Sequence, residues 1–223
     1  MTTAAAKEIF MESAPQNAAA LPWLADAAAF NAEKSADWVR ALRATGAESF
    51  ARTGLPTPAW EGWQYLNLRP LSSMAFHYAA GPVVFDAAKI PAPLLGQHRV
   101  VLVNGQYQPK LSSLPAHVAV YSLMEAAEKN IPGLQDHLVR LGDLAATPMM
   151  ALNSAYLRDG LVLTVEKNKD VEAPVEVLFY NSGDGVAIYP RVAYLLGENS
   201  GLTIVERHMG EGVYFANAVI AVG

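Results

Sequence analysis

The chain has 223 residues, 52% of them hydrophobic and 17% charged, with a formal net charge of −5. This is the composition of a globular protein with a sizeable core, not of a disordered chain. No Lys/Arg cluster forms the basic stripe a nucleic-acid surface needs, no uncharged apolar run is long enough to span a bilayer, and cysteine is absent. Without cysteine there is no disulfide framework, and no thiolate ligand for zinc or an iron–sulfur cluster. Pro22 and Asp26 interrupt the apolar segment 18–30, and no basic stretch precedes it, so it reads as a buried helix rather than a signal peptide. A cytoplasmic location is the default that follows.

The first third is helical in pattern. Residues 4–13 form an Ala-rich helix candidate, and a second helical segment begins near Trp23. The strongest helix spans about 35–52, with Ser35 or Asp37 as cap and Trp38, Leu42, Thr45 and Ser49 at helical spacing. Gly54 and Pro56 stop it. Two prolines, Pro56 and Pro58, then lead into Trp60, Trp63 and Tyr65, a cluster expected to staple its loop to the helical region. Residues 72–93 read as a connector.

In the middle, His98–Val103 is a strand, Asn104-Gly105 is a hairpin turn, and Gln106–Pro109 is the returning strand. Val118–Tyr121 is another strand. Ser122 and Glu125 form a capping box for a helix running to about Lys129. Helices follow over 134–141 and 149–157. From Gly160 helical periodicity ends. Strands are expected to begin at Leu161, Val175, Val186, Leu202 and Val213, separated by Gly/Asn/Asp turn clusters. The steps are too irregular for a short hexapeptide repeat but allow longer coils. The apolar run Val219–Val222 carries no charge or proline to blunt an edge, so it is expected either to pair or to lead into further chain.

Searching for chemistry yields no phosphate loop, dinucleotide fingerprint or nucleophile elbow. Gly183-Asp184-Gly185 and Gly210-Glu211-Gly212 read as turns. His77, His98, His117, His137 and His208 are never at ligand spacing. Glu206-Arg207-His208 is the densest polar cluster of the β region and reads as a solvated strand end with a local ion pair. Glu172 and Glu176 share a strand face and read as solvated. No catalytic, cofactor-binding or metal-ligating residue is assigned.

Arg52-Thr53-Gly54-Leu55-Pro56-Thr57, then Glu61-Gly62-Trp63-Gln64-Tyr65 and Leu68, resembles the N-terminal signature of SufD-type subunits of the SufB/SufD family. These are scaffolds of the SUF iron–sulfur cluster assembly system. Residues 99–107, Ala151-Leu152-Asn153-Ser154-Ala155-Tyr156, Gly160–Leu163, Pro190-Arg191 and Leu202–Glu206 continue the resemblance in order. Gln64 stands where the family usually has a basic residue, and Leu66 where it often has a hydroxyl.

The resemblance implies an α+β fold: a helical region with a small α/β connector over 1–157, then the first coils of a right-handed parallel β-helix over 158–223. It implies a non-catalytic scaffold in a SufB–SufC–SufD-type complex. Family members are about twice as long, so contacts with a SufB-like scaffold and a SufC-like ATPase are expected mostly beyond residue 223. The family's cluster-proximal residues are expected there too. A homodimer is left open, and the cluster belongs to the full complex, not to this cysteine-free chain. Two readings stand beside it. One is a β-helix enzyme of polysaccharide lyase or acyltransferase type, which would bring Arg191, Glu206 and His208 into one cleft. The other is a small-ligand module using the Trp60–Tyr65 loop.

Overall fold

The computed structural model describes residues 17–28, 35–78, 81–140 and 142–223. The helix candidate over 4–13 lies outside them. The fold is α+β, and its centre is three stacks of parallel strands that the chain visits in turn. β5 (Gly160–Val165), β6 (Asp170–Ser182) and β7 (Val186–Ile188) make one circuit. β8 (Arg191–Leu196), β9 (Gly201–Glu211) and β10 (Tyr214–Ala216) make the next, and β11 (Val219–Val222) begins another. Each strand lies parallel to its counterpart one circuit on: β5 with β8 and β8 with β11, β6 with β9, β7 with β10. Gly160 pairs with Arg191, which pairs with Val219, so one circuit takes about 30 residues.

The sequence reading places β5, β9 and β11 well. It starts β6 late, because Pro174 interrupts the run, and the structure absorbs that proline in a register shift between Val171 and Val175. It misses β8. Tyr189-Pro190 turns a corner between two short strands that read as one.

The chain before Gly160 covers one end of all three stacks. β1 (His77–Tyr78) pairs with β7, β2 (Arg99–Val103) with β6, and β3 (Gln106–Tyr107) touches β5 at Gln106–Gly160. The segment read as a connector therefore supplies β1. β2 and β3 form the expected hairpin, with Asn104 and Gly105 both at positive φ. β4 (Val118–Ser122) runs antiparallel along β5. Edge strands expose unpaired N–H and C=O groups, so this cap removes an edge from each stack.

Alternation then sorts the side chains. Leu161, Leu163, Val192 and Tyr194 point inward with Val177 and Phe179. Val162 and Ala193 point outward onto the helices. Those helices are α1 (Asp37–Thr53), α3 (Leu123–Glu128) and α4 (Leu134–Val139), with α2 (Arg69–Ser72) short and peripheral. α5 (Pro148–Ala155) packs on α1 so closely that a Cβ on Gly46 would stand 2.7 Å from Ala151 O and Ala155 N. The buried face of α1 is Val39, Leu42, Arg43, Gly46, Ser49 and Phe50, so Thr45, expected on it, is exposed. Neither expected cap is used: Ala36 holds the cap position, Ser35 accepts a bond from Arg43, and Asp37 pairs with Arg40 in the first turn. Ser122 does cap α3, accepting from Glu125 N at 3.3 Å, while the Glu125 carboxylate turns to Lys129. Among the described residues no helix is long and apolar enough to cross a membrane.

An aromatic cluster joins the N-terminal segment to the third stack. Tyr156 and Tyr189 stack at 4.5 Å, Tyr78 stacks on Tyr156 at 5.6 Å, and Trp23 meets Phe215 edge-on at 5.0 Å. The Tyr156 hydroxyl donates to Trp23 O, and the Tyr78 hydroxyl donates to Asp159. Burial is the main cause that raises the pKa of Tyr78, Tyr156, Tyr189 and Tyr194.

Two outcomes follow from this packing. A Cβ on Gly160 would stand 1.8 Å from Arg191 O, at a φ of +133°, so no side chain fits there. Gly160→Ala is expected to lower the unfolding free energy in urea by about 3 kcal/mol or more. Gly62→Ala, at positive φ in open space, is expected to cost only about 1 kcal/mol.

The second outcome concerns alkali. The four tyrosines have folded pKa values above their unfolded value, so their contribution is intact below pH about 10 and is lost as pH rises further. Arg191, lowered to about 10 by burial, opposes this over the same range, but it is one group against four. Tyrosinate absorbance should therefore rise together with loss of far-ultraviolet ellipticity. Ionisation of these tyrosines in a fully folded chain would contradict the packing.

Candidate functional site

The best-built polar site lies where α5 meets the corners between the third and first stacks. Arg191 has no exposed surface. Its Nε donates to Asn153 Oδ1 at 2.8 Å, and its Nη2 donates to Ser154 Oγ at 2.7 Å. Asn153 Nδ2 donates to Pro190 O at 3.1 Å and to Asn217 O at 2.7 Å. Asn217 Nδ2 donates in turn to Met149 O at 2.7 Å. Pro190 and Asn217 stand at equivalent corners of successive circuits, so Asn153 ties the two together. Burial lowers the guanidinium pKa to about 10, which still leaves it charged near neutrality. These bonds all run to the protein's own side chains and carbonyls, and they position α5 against the two corners.

A second cluster lies on the inner row of β8 and β9. Tyr194 Oη donates to Glu206 Oε1 at 2.7 Å, and Glu206 Oε2 stands 3.7 Å from His208 Nε2. The His208 ring stacks on Phe179 at 4.4 Å with an interplanar angle of 3°. Burial and the Glu206 carboxylate raise the Tyr194 pKa, so this hydroxyl is a fixed donor and not an acid for neutral pH. The local polar contact expected in Glu206-Arg207-His208 lies between Glu206 and His208, 3.7 Å apart. The cluster is not a solvated strand end, however: Glu206 and Arg207 are half-buried, and Arg207 turns to the other face of β9 to meet Glu176. Arg191 bonds to α5 and not to this cluster, so the three residues an enzyme cleft would unite do not converge.

The remaining sequence candidates are scattered. His117 Nδ1 lies 3.0 Å from Glu166 at the surface, and His77 is exposed on β1. Among the described residues no group of three or more His, Asp or Glu could hold a metal ion. Glu172 is exposed as expected, whereas Glu176 is fully buried. The aromatic loop does not act as a staple. Tyr65 is 102% exposed, and Trp60 and Trp63 are only half-buried. A groove of about 570 Å³ lies beside it, lined by Leu55, Pro56, Pro58 and Leu68. Asn153 and Asn217 were not legible as functional residues, because a buried amide gives no local periodic signal.

These arrangements bind and position. Asn153 and Asn217 direct their amide groups at backbone carbonyls, whereas Arg191 and Tyr194 donate to other side chains of their own clusters.

Comparison with known proteins bears on what such a framework serves. Residues 22–177 match the family model described as the SufBD protein N-terminal region. Over 162 residues the chain is 28% identical to an iron–sulfur cluster assembly SufBD family protein of Synechocystis sp.. That match covers 69% of this chain and 35% of the relative, so the matched part spans about a third of the relative's length. The match runs from the helical cap through β2 and β5 into β6, the elements that close the end of the strand stacks, and on this basis the chain belongs to the SufBD family.

Proposed function

We propose that this chain is the front part of a SufD-type scaffold. It serves iron–sulfur cluster assembly in the cytoplasm, within a complex with a SufB-like scaffold and a SufC-like ATPase, and has no turnover of its own. The match of residues 22–177 to the family's N-terminal region carries this reading. The Gly54-Leu55-Pro56-Thr57 and Trp63 pattern favours the SufD type within the family. The cluster itself belongs to the assembled complex, since this chain offers no thiolate.

The three parallel stacks fit the start of a parallel β-helix. Each circuit joins parallel strands of one stack through a crossover, and such connections are right-handed in nearly all proteins, so the winding is right-handed. β9, β10 and β11 each have one ladder neighbour, leaving their other edges as the surface on which further coils or a partner strand would pair.

Co-expression tests the reading. The full-length protein containing this chain, tagged and produced with a SufB-like scaffold and a SufC-like ATPase, should purify with both in a fixed ratio through size exclusion. Elution of the tagged protein free of both partners would sink the assignment.

A further inference from the structure

Residues 82–94 cross the outer face of the second stack. Val83, Phe85 and Ile90 lie on Val101, Val103, Leu178 and Tyr180, forming a small core of their own. Among the described residues this segment makes no main-chain hydrogen bond to a strand; its main-chain bonds are the turn bonds Lys89 N to Asp86 O and Ile90 N to Ala87 O. Side chains hold it. At its entry Gln106 accepts from Val83 N and donates to Gly81 O.

At its exit three strands supply a buckle. Arg99 of β2 donates to Pro91 O at 2.7 Å, Arg207 of β9 donates to Ala92 O at 3.4 Å, and Glu176 of β6 accepts from Leu94 N at 2.9 Å. Arg207 also stands 3.3 Å from Glu176, whose side chain is 1% exposed. A carboxylate is buried only with partners, and here the bond from Leu94 N and the ion pair to Arg207 supply them. Gly81 and Gly96 bracket the segment at φ +135° and +98°, and at each the space a Cβ would fill is open.

We propose that residues 82–94 form a strap that detaches from the sheet as a unit, hinged at Gly81 and Gly96 and latched by Glu176, while the strand stacks stay intact. Segments held by few side chains and no ladder open below the global unfolding free energy. Opening uncovers the apolar strip Val101, Val103, Leu178 and Tyr180, so the strap is a removable cover over a sheet face. This goes beyond the scaffold reading and does not depend on it.

Limited trypsin digestion with mass readout of the Lys89–Ile90 bond tests the strap on the 223-residue chain, beside hydrogen exchange of the ladder amides. Glu176→Leu removes the latch. Arg99→Met loosens the buckle without stranding a buried charge. Glu172→Gln, on the same strand but exposed, is the control. Both buckle variants should cleave at Lys89 roughly tenfold faster than the control, with exchange at Leu178 unchanged. Cleavage at the control rate in both variants would overturn the latch. Ladder exchange that accelerates in step with cleavage would overturn the strap as a separate unit.

Discussion

Arg191, a fully buried guanidinium with no carboxylate hydrogen-bonded to it among the described residues, sits at the seam of this molecule. Arg191 begins the second circuit of strands, and its charge is satisfied by the ends of polar side chains on α5. Burying such a group is costly unless its donors are met. Asn153 and Ser154 meet two of them, and Asn153 spends its amide protons on the corners at Pro190 and Asn217. The position of α5 is thereby fixed against two successive turns of the winding. Gly160 completes the constraint, since only a missing side chain lets β5 pass beside Arg191 O. α1 follows, because Gly46 brings it into backbone contact with α5.

From that seam the rest of the architecture is directional. The helical region and β1, β2 and β3 close one end of the stacks. At the other end β9, β10 and β11 keep open edges, with Ile220 and Val222 partly exposed on the inner row and polar Glu206 and His208 among them. The capped end lies within residues 22–177, the part that matches the family's N-terminal region. Outward faces are covered on two sides by different means: α1, α3 and α4 over the first stack, and a side-chain-held strap over the second.

Much of this was legible where a signal is local. Asn104-Gly105 adopts the positive φ pair its hairpin demands, Ser122 caps its helix, and the strands led by Leu161 and Leu202 start within a residue of expectation. What failed was set by tertiary contacts. Pro190 bends the chain at a corner that only the stack above explains, so β8 was merged with β7. Glu176 looks solvated by alternation because the strap covering it is remote in sequence. Trp60, Trp63 and Tyr65 look like a staple by composition, yet Tyr65 stands clear of the protein. Ser35, a good cap by type, is drawn instead to the buried Arg43. The family resemblance was legible from ordered motifs from about Leu42 onward, and it rests on residues that shape turns and corners more than on reactive groups.

The account depends most on the tie between Arg191 and Asn153. A double-mutant cycle with Asn153→Ala and Arg191→Met, measured by urea unfolding, reads that tie directly. The predicted coupling is about 2 kcal/mol or more, since the two side chains share one buried network. Additivity within about 0.5 kcal/mol would mean that α5 is held by apolar packing alone, and would contradict the account.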